Sequence, residues 1–181
     1  MSITLQFHTE QVVLVDPFNN ELGYMEKMKA HRLAKLHRAI SVFIFNDQGQ
    51  LLLQRRARHK YHSGGLWTNT CCSHPRPGEP TINAANRRLR EEMGLDCTLS
   101  FKFRFQYHTL LDNGLSEHEL DFVYTGITNR IPLLNPLEAD AYRWIGPEQL
   151  QNELNQNPEQ FTAWFLIIYD QYRMELDIRN E

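Results

Sequence analysis

Pro80-Thr81-Ile82-Asn83-Ala84-Ala85-Asn86-Arg87-Arg88-Leu89-Arg90-Glu91-Glu92-Met93-Gly94 reads as a helix with both of its ends marked. It starts near Pro80-Thr81, where a proline costs nothing because the first-turn N–H groups have no partner. It stops at Gly94, the residue that best leaves a helix in the left-handed conformation. Ile82, Ala85, Leu89 and Met93 recur at helical spacing and form one apolar stripe. The other face is charged, with Arg87–Glu91 and Arg88–Glu92 four residues apart, which by itself describes an ordinary solvated face. Glu79, at the end of the turn Pro75-Arg76-Pro77-Gly78, adds a second meaning. A loop followed by a helix carrying several carboxylates can hold a hard dication against a diphosphate.

Immediately upstream lies Trp67-Thr68-Asn69-Thr70-Cys71-Cys72-Ser73-His74-Pro75. If this stretch is extended, Cys72 and His74 point to one side and Cys71 to the other. A buried structural cysteine, a redox pair and a soft-metal ligand are the alternatives for these thiols, and no CxxC spacing supports the last two. Glu117-His118-Glu119 places a second same-face pair on another strand-like run. His31, His37 and His74 with Glu117 and Glu119 would make three imidazoles and two carboxylates, a donor set suited to six-coordinate Mn²⁺, Zn²⁺ or Mg²⁺. His8, His59, His62, His108 and His118 have no constellation and read as solvated or structural.

Around these motifs the pattern predicts strands at residues 12–15 and 37–45, with 50–56 returning as a hairpin partner across Asn46-Asp47-Gln48-Gly49. Residues 57–66 read as a polar, mobile loop. Further strands are expected at 97–110 and 117–127 around Asp112-Asn113-Gly114, and helices at 147–154 and 160–174. Hairpins mixed with helices imply an α+β domain, a mixed sheet with helices packed on its faces, spanning residues 1–181 without a second domain. The 181 residues suffice for a core without staples. A net charge of -3 gives no global attraction to nucleic acid or anionic membrane, so an anionic ligand must meet a local basic patch. No basic segment precedes an apolar run at the N-terminus, no run is long enough to span a membrane, and the three cysteines make no disulfide framework. A cytoplasmic protein with reduced thiols, monomeric or weakly dimeric, is the expectation.

Glu79, Arg87, Glu91-Glu92 and Gly94-Leu95 resemble the Nudix box, a loop–helix–loop motif for metal and diphosphate, spanning about residues 73–95. Ser73 stands where that motif begins with glycine, and Arg88 replaces the first of its clustered glutamates. Further segments narrow the resemblance. Leu36-His37-Arg38-Ala39, Phe43-Ile44-Phe45-Asn46, Gln54-Arg55-Arg56-Ala57 with Lys60, Trp67 through Pro75, Glu117-His118-Glu119 and Phe161-Thr162-Ala163-Trp164-Phe165 are similar to the type I isopentenyl-diphosphate isomerases, Nudix-fold enzymes that do not hydrolyse their substrate. The resemblance implies metal ligation by His31, His37, His74, Glu117 and Glu119, with Mn²⁺ or Zn²⁺ there. Glu92 would hold a second ion, Mg²⁺, arriving with the diphosphate. It implies Cys72 and Glu119 as catalytic groups supported by Tyr107, Glu119 as acid and Cys72 as a thiolate base whose pKa nearby cations depress. Lys27, Arg56, Lys60 and Arg88 would bind diphosphate, Trp164 would face the reacting carbons, residues 1–37 would include a strand and lid, and helices at about 147–175 would close the fold. No flavin is implied. The rival readings are a Nudix hydrolase, which has no need of Cys72, a non-catalytic diphosphate or redox module, and a structural zinc protein.

Overall fold

The strand His37–Phe45 organises the molecule because it is apolar toward both faces. Ile40, Val42 and Ile44 pack to one side and Phe43 to the other, so both sides need cover. The computed structural model, which describes residues 10–176, supplies that cover with helices. Its strands are β1 (Gln11–Val15), β2 (Glu21–Glu26), β3 (His37–Phe45), β4 (Leu51–Arg56), β5 (Trp67–Thr68), β6 (Cys71–Ser73), β7 (Leu99–Leu110), β8 (Ser116–Ile127) and β9 (Ala139–Ile145). The helices are α1 (Lys27–Arg32), α2 (Thr81–Met93), α3 (Pro147–Gln156) and α4 (Ala163–Tyr172). His8 and the segment before residue 10 lie outside the described residues.

Helix α2 runs where its sequence predicts and lays Ala85, Leu89 and Met93 against Ile40, Val42 and Ile44. Leu89 and Met93 are fully buried, and burial of each such side chain is worth about 1.5–3 kcal/mol. Gly94 ends the helix at φ 63°, and a β-carbon there would meet Leu133 at 2.8 Å. Glycine is therefore required by conformation and by space.

Strand β3 pairs in parallel with β8, from His37↔Glu119 to Phe45↔Ile127, and antiparallel with β6 through Ile40↔Ser73, Ser41↔Cys72 and Val42↔Cys71. Strand β7 continues the sheet beyond β8, and β2–β1 meets it at Leu14↔His37. One parallel pair among antiparallel ones, with helices on both faces, is the expected α+β mixed sheet. The expected hairpin forms only at its tip, Phe45↔Leu51. Strand β8 and strand β6 occupy the edges of β3, so β4 diverges and pairs with β9 and β5 instead. Residues 57–66 are irregular as expected, but Ala57, His62 and Ser63 are buried, so this loop is packed into the molecule. The final helix is divided into a 3₁₀ turn, Pro158–Gln160, and α4. Among the described residues no helix is long and apolar enough to cross a membrane.

Alternation on the central strands then sorts the chemistry. Cys71 packs toward α2 in the layer of Ile40 and Leu89, whereas Cys72 borders the opposite layer with Phe43, Tyr107 and Trp164. On β8, Glu117, Glu119 and Asp121 alternate with His118, Leu120 and Phe122 and share the face of Val123. A row of buried carboxylates thus interrupts an apolar layer.

Candidate active site

A cleft opens over that row. Cys72, Tyr107, Glu117, Glu119, Trp164, His62 and His74 line it together with Lys27, Arg56, Lys60, Arg88 and Glu92. The sulfur and the carboxylate expected to work together therefore share one cavity.

Local structure explains why each group is there. Glu26 caps α1 by accepting from the Met28 and Lys29 N–H groups. His31 Nδ1 donates to the Lys27 carbonyl at 2.8 Å, which fixes the tautomer and leaves Nε2 a lone pair. That Nε2 is buried without a hydrogen-bond partner. His37 repeats the device, with Nδ1 donating to the Lys35 carbonyl at 2.7 Å. His74 is steadied by the loop before α2, because Arg87 forks onto Glu79 at 2.7 and 2.8 Å and reaches the His74 carbonyl at 3.4 Å. Asn69 and Thr70 hold the thiol segment. The Asn69 amide donates to the Val42 and Cys71 carbonyls, and the Thr70 hydroxyl donates to the Leu52 carbonyl.

The three imidazoles converge on Glu119. His37 Nε2 lies 3.2 Å from His74 Nε2, and His74 Nε2 lies 2.9 Å from Glu119 Oε1. His31, His37, His74 and Glu119 present ligand atoms all within 4.8 Å of one another. Outer hydrogen bonds that fix the ring, and an unpartnered lone pair facing inward, are what a metal centre requires. The donor set fits a divalent ion of the first transition row or zinc. Glu117 joins from the side, where the Tyr107 hydroxyl shares its one proton between Glu117 at 2.9 Å and Glu119 at 2.7 Å.

Electrostatics divides the two carboxylates. Burial raises both, but the His37 and His74 imidazoles set against Glu119 hold it well below the usual carboxylate range. Glu117 lacks those partners, so burial and the neighbouring Glu119 charge push it well above that range. Burial lowers His31 to about 4. The Cys72 thiol departs from expectation. Burial raises it well above its ordinary value, outweighing the opposing Arg56 guanidinium, so the free site holds a thiol rather than a thiolate.

The four expected cations all border the cleft, in different states of engagement. Lys27 is paired with Glu10 and lies 5.2 Å from the Tyr61 ring centroid. Lys60 donates to Glu138 at 2.6 Å. Arg88 bridges Glu91, Glu92 and Glu138. Arg56 is buried, stands 5.2 Å over the Trp164 ring and leaves Nε without a partner, a donor suited to an anion. Glu92 is buried between Arg88 and Gln54 and, among the described residues, joins no cluster of potential ligands, so a second ion there would depend on oxygens brought by the diphosphate. Glu79 and Glu91 are taken up by Arg87 and Arg88.

Sequence reasoning missed His62. It is buried, its Nε2 lies 3.8 Å from Glu117, and its ring stacks on His31 at 6.2 Å and meets Trp164 edge-on at 5.7 Å. Nothing in its polar neighbourhood signals this. His59, whose Nε2 donates to the Leu137 carbonyl at 3.2 Å, and the neighbouring rings of His108 and His118 keep structural places, as expected.

The fold, the α2 loop–helix and this cleft define a NUDIX protein, and the NUDIX domain model matches residues 35–165. Among solved structures the chain is similar to a Deinococcus radiodurans protein (TM-score 0.75, 20% identity, covering 91% of this chain and 100% of that one). It also resembles the MutT protein from Methanosarcina mazei Go1 (TM-score 0.63, 18% identity, 77% and 94%). Those likenesses concern the fold. Over 159 residues it is 54% identical to a Pectobacterium atrosepticum protein named isopentenyl-diphosphate Delta-isomerase, covering 88% of this chain and 89% of the relative. An Aromatoleum aromaticum isopentenyl-diphosphate Delta-isomerase 2 is 50% identical over 161 residues, covering 89% and 85%. The chain belongs to the isopentenyl-diphosphate Delta-isomerase family of NUDIX proteins.

Proposed function

We propose that this protein interconverts isopentenyl diphosphate and dimethylallyl diphosphate, moving a double bond by protonation and deprotonation through a tertiary carbocation. One observation supports this above all others: Cys72 and the Tyr107–Glu119 pair line a single cleft with Trp164, and cations border the same space. A proton must arrive at the terminal methylene and another must leave the carbon on the far side of the cationic centre. Two proton-transfer groups on different strands meet that need. We assign them as Cys72 on β6 and Glu119 on β8, with Tyr107 bonded to Glu119. The reaction is reversible, so each group donates in one direction and accepts in the other. A protonated, partly buried thiol beside an ionised Glu119 starts with the proton on sulfur, the reverse of a thiolate base facing a glutamic acid.

Trp164 offers an electron-rich face to the carbocation, an attraction of roughly 2 kcal/mol when desolvated. Exclusion of water from the cleft protects that cation from capture. Arg56, Lys60, Lys27 and Arg88 bind the diphosphate, with Arg56 Nε the donor already lacking a partner. His31, His37, His74, Glu117 and Glu119 would hold Mn²⁺ or Zn²⁺, and Glu92 would share Mg²⁺ with the diphosphate. A bound dication supplies positive charge that orders the carboxylates and tunes their proton affinity. No electrons are exchanged with the substrate, so flavin is not required. We place the protein in the cytoplasm as a monomer or weak homodimer. Its three cysteines are free thiols, which suits a reducing compartment.

Hydrolysis of the diphosphate is the competing outcome, and the carboxylates of α2 and its preceding loop that would serve it are engaged by Arg87 and Arg88. The test is an NMR assay of isopentenyl diphosphate in deuterated water with Mg²⁺, run beside Glu119→Gln. Deuterated allylic diphosphate from the native protein alone is expected. Release of phosphate or pyrophosphate would overturn the assignment.

A further inference from the structure

Two sets of ligand atoms converge at the wall of the cleft, and only one of them includes Glu119. The second consists of His31, His62 and Glu117, again within 4.8 Å of one another and all buried. These three are placed as ligands and do not bond to one another. His31 Nε2 is unpartnered because Nδ1 already donates to Lys27. His62 Nδ1 lies 3.2 Å from the Ser63 hydroxyl, so donation there leaves Nε2 a lone pair, and Nε2 stands 3.8 Å from Glu117 Oε1, beyond hydrogen-bond reach. Glu117 takes its hydrogen bond from Tyr107 on the other oxygen, Oε2.

We infer that His62 is a fourth imidazole of the metal-holding centre and completes a second seat for a divalent ion, formed with His31 and Glu117, that leaves Glu119 unligated. This deepens the proposed isomerase reading and rests on it. His31 has one lone pair, so the two seats are alternatives for a single ion. The distinction matters chemically, because a carboxylate bound to a dication resists protonation, whereas one released from it can carry a proton. With an ion held by His31, His62 and Glu117, Glu119, still bonded to Tyr107, would be free to carry a proton.

The experiment measures metal binding without substrate, so its result stands apart from the fate of the isomerase assignment. Metal-freed full-length protein is titrated with Co²⁺, following affinity, stoichiometry and visible absorption, for the native chain, His62→Gln, Glu119→Gln and the double variant. Glu119→Gln is expected to retain one Co²⁺, and adding His62→Gln to it to weaken binding by about tenfold or more and shift the spectrum, as loss of a ligand does. Loss of Co²⁺ from Glu119→Gln alone overturns the inference, which needs no His62 variant to fold. An affinity and spectrum indifferent to His62→Gln in that background overturn it as well.

Discussion

Asp121 has no part in the assigned proton transfers, yet it should make this protein's stability depend on pH. Its carboxyl is 1% exposed, accepts one hydrogen bond from Ser41 at 2.7 Å, and leaves its other oxygen without a partner. Burial, and then the charge of Glu119, raise it from 3.8 to about 8. The folded chain therefore keeps a proton that the unfolded chain gives up. Stability from this group is complete below pH 4 and drains away as pH rises from about 4 to about 8, at roughly 1.4 kcal/mol per unit. Summed over that window the loss is on the order of 5 kcal/mol, a large share of the stability of an ordinary domain. Asp121→Asn keeps an oxygen for Ser41 and abolishes the titration. Urea unfolding of the native and variant chains with chelator, at pH 5, 6, 7 and 8, isolates the effect as their difference. The variant should gain on the native chain by about 1 kcal/mol or more per pH unit. A difference that stays flat across this range would refute the reasoning.

Other expectations follow from single contacts. Cys72→Ala removes one of the two proposed proton-transfer groups and should lower isomerisation by roughly 10²–10⁴ while substrate still binds, read by turnover and by calorimetric titration. Trp164→Leu should lower kcat about 30-fold, the equivalent of roughly 2 kcal/mol of cation–π stabilisation, with a smaller change in KM. Arg88→Lys keeps the charge but cannot span Glu92 and Glu138 as the guanidinium does, so KM for the diphosphate should rise several-fold in steady-state assays. Leu89→Ala opens a cavity beneath α2 and should cost about 2–5 kcal/mol in urea unfolding.

Much of this was legible in the chain. Period and punctuation marked α2 from its stripe and Gly94, and β3 from its apolar run, because both are local properties. Alternation alone assigns Cys71 and Cys72 to opposite faces, as the structure does. Other features depend on distance in sequence. The parallel register of β3 with β8 joins residues some eighty positions apart and leaves no local mark. Strand β9 and the short helix α1 were missed: the first is recruited by β4 after that strand leaves the hairpin, and the second is only six residues long. His62 looked like one polar residue among several, and becomes part of the site because Arg56 donates to its carbonyl at 3.3 Å and the loop folds inward. The thiol's protonation is hidden for a related reason: neighbouring charges can be counted in a sequence, but the loss of solvent around the sulfur cannot.

The three-residue strand β6 carries a consequence for how this enzyme tolerates change. Two neighbouring cysteines owe their different fates to nothing but the side of the sheet each one meets. Sliding that short segment by a single position would deliver Cys71 to the cleft and hide Cys72 among leucines, with composition untouched. Asn69 and Thr70, which reach no reacting atom, guard against this by anchoring the chain just ahead of it. Substitutions there should disable the enzyme through misplacement of its sulfur, a lesion invisible to any inspection of the cleft's own residues.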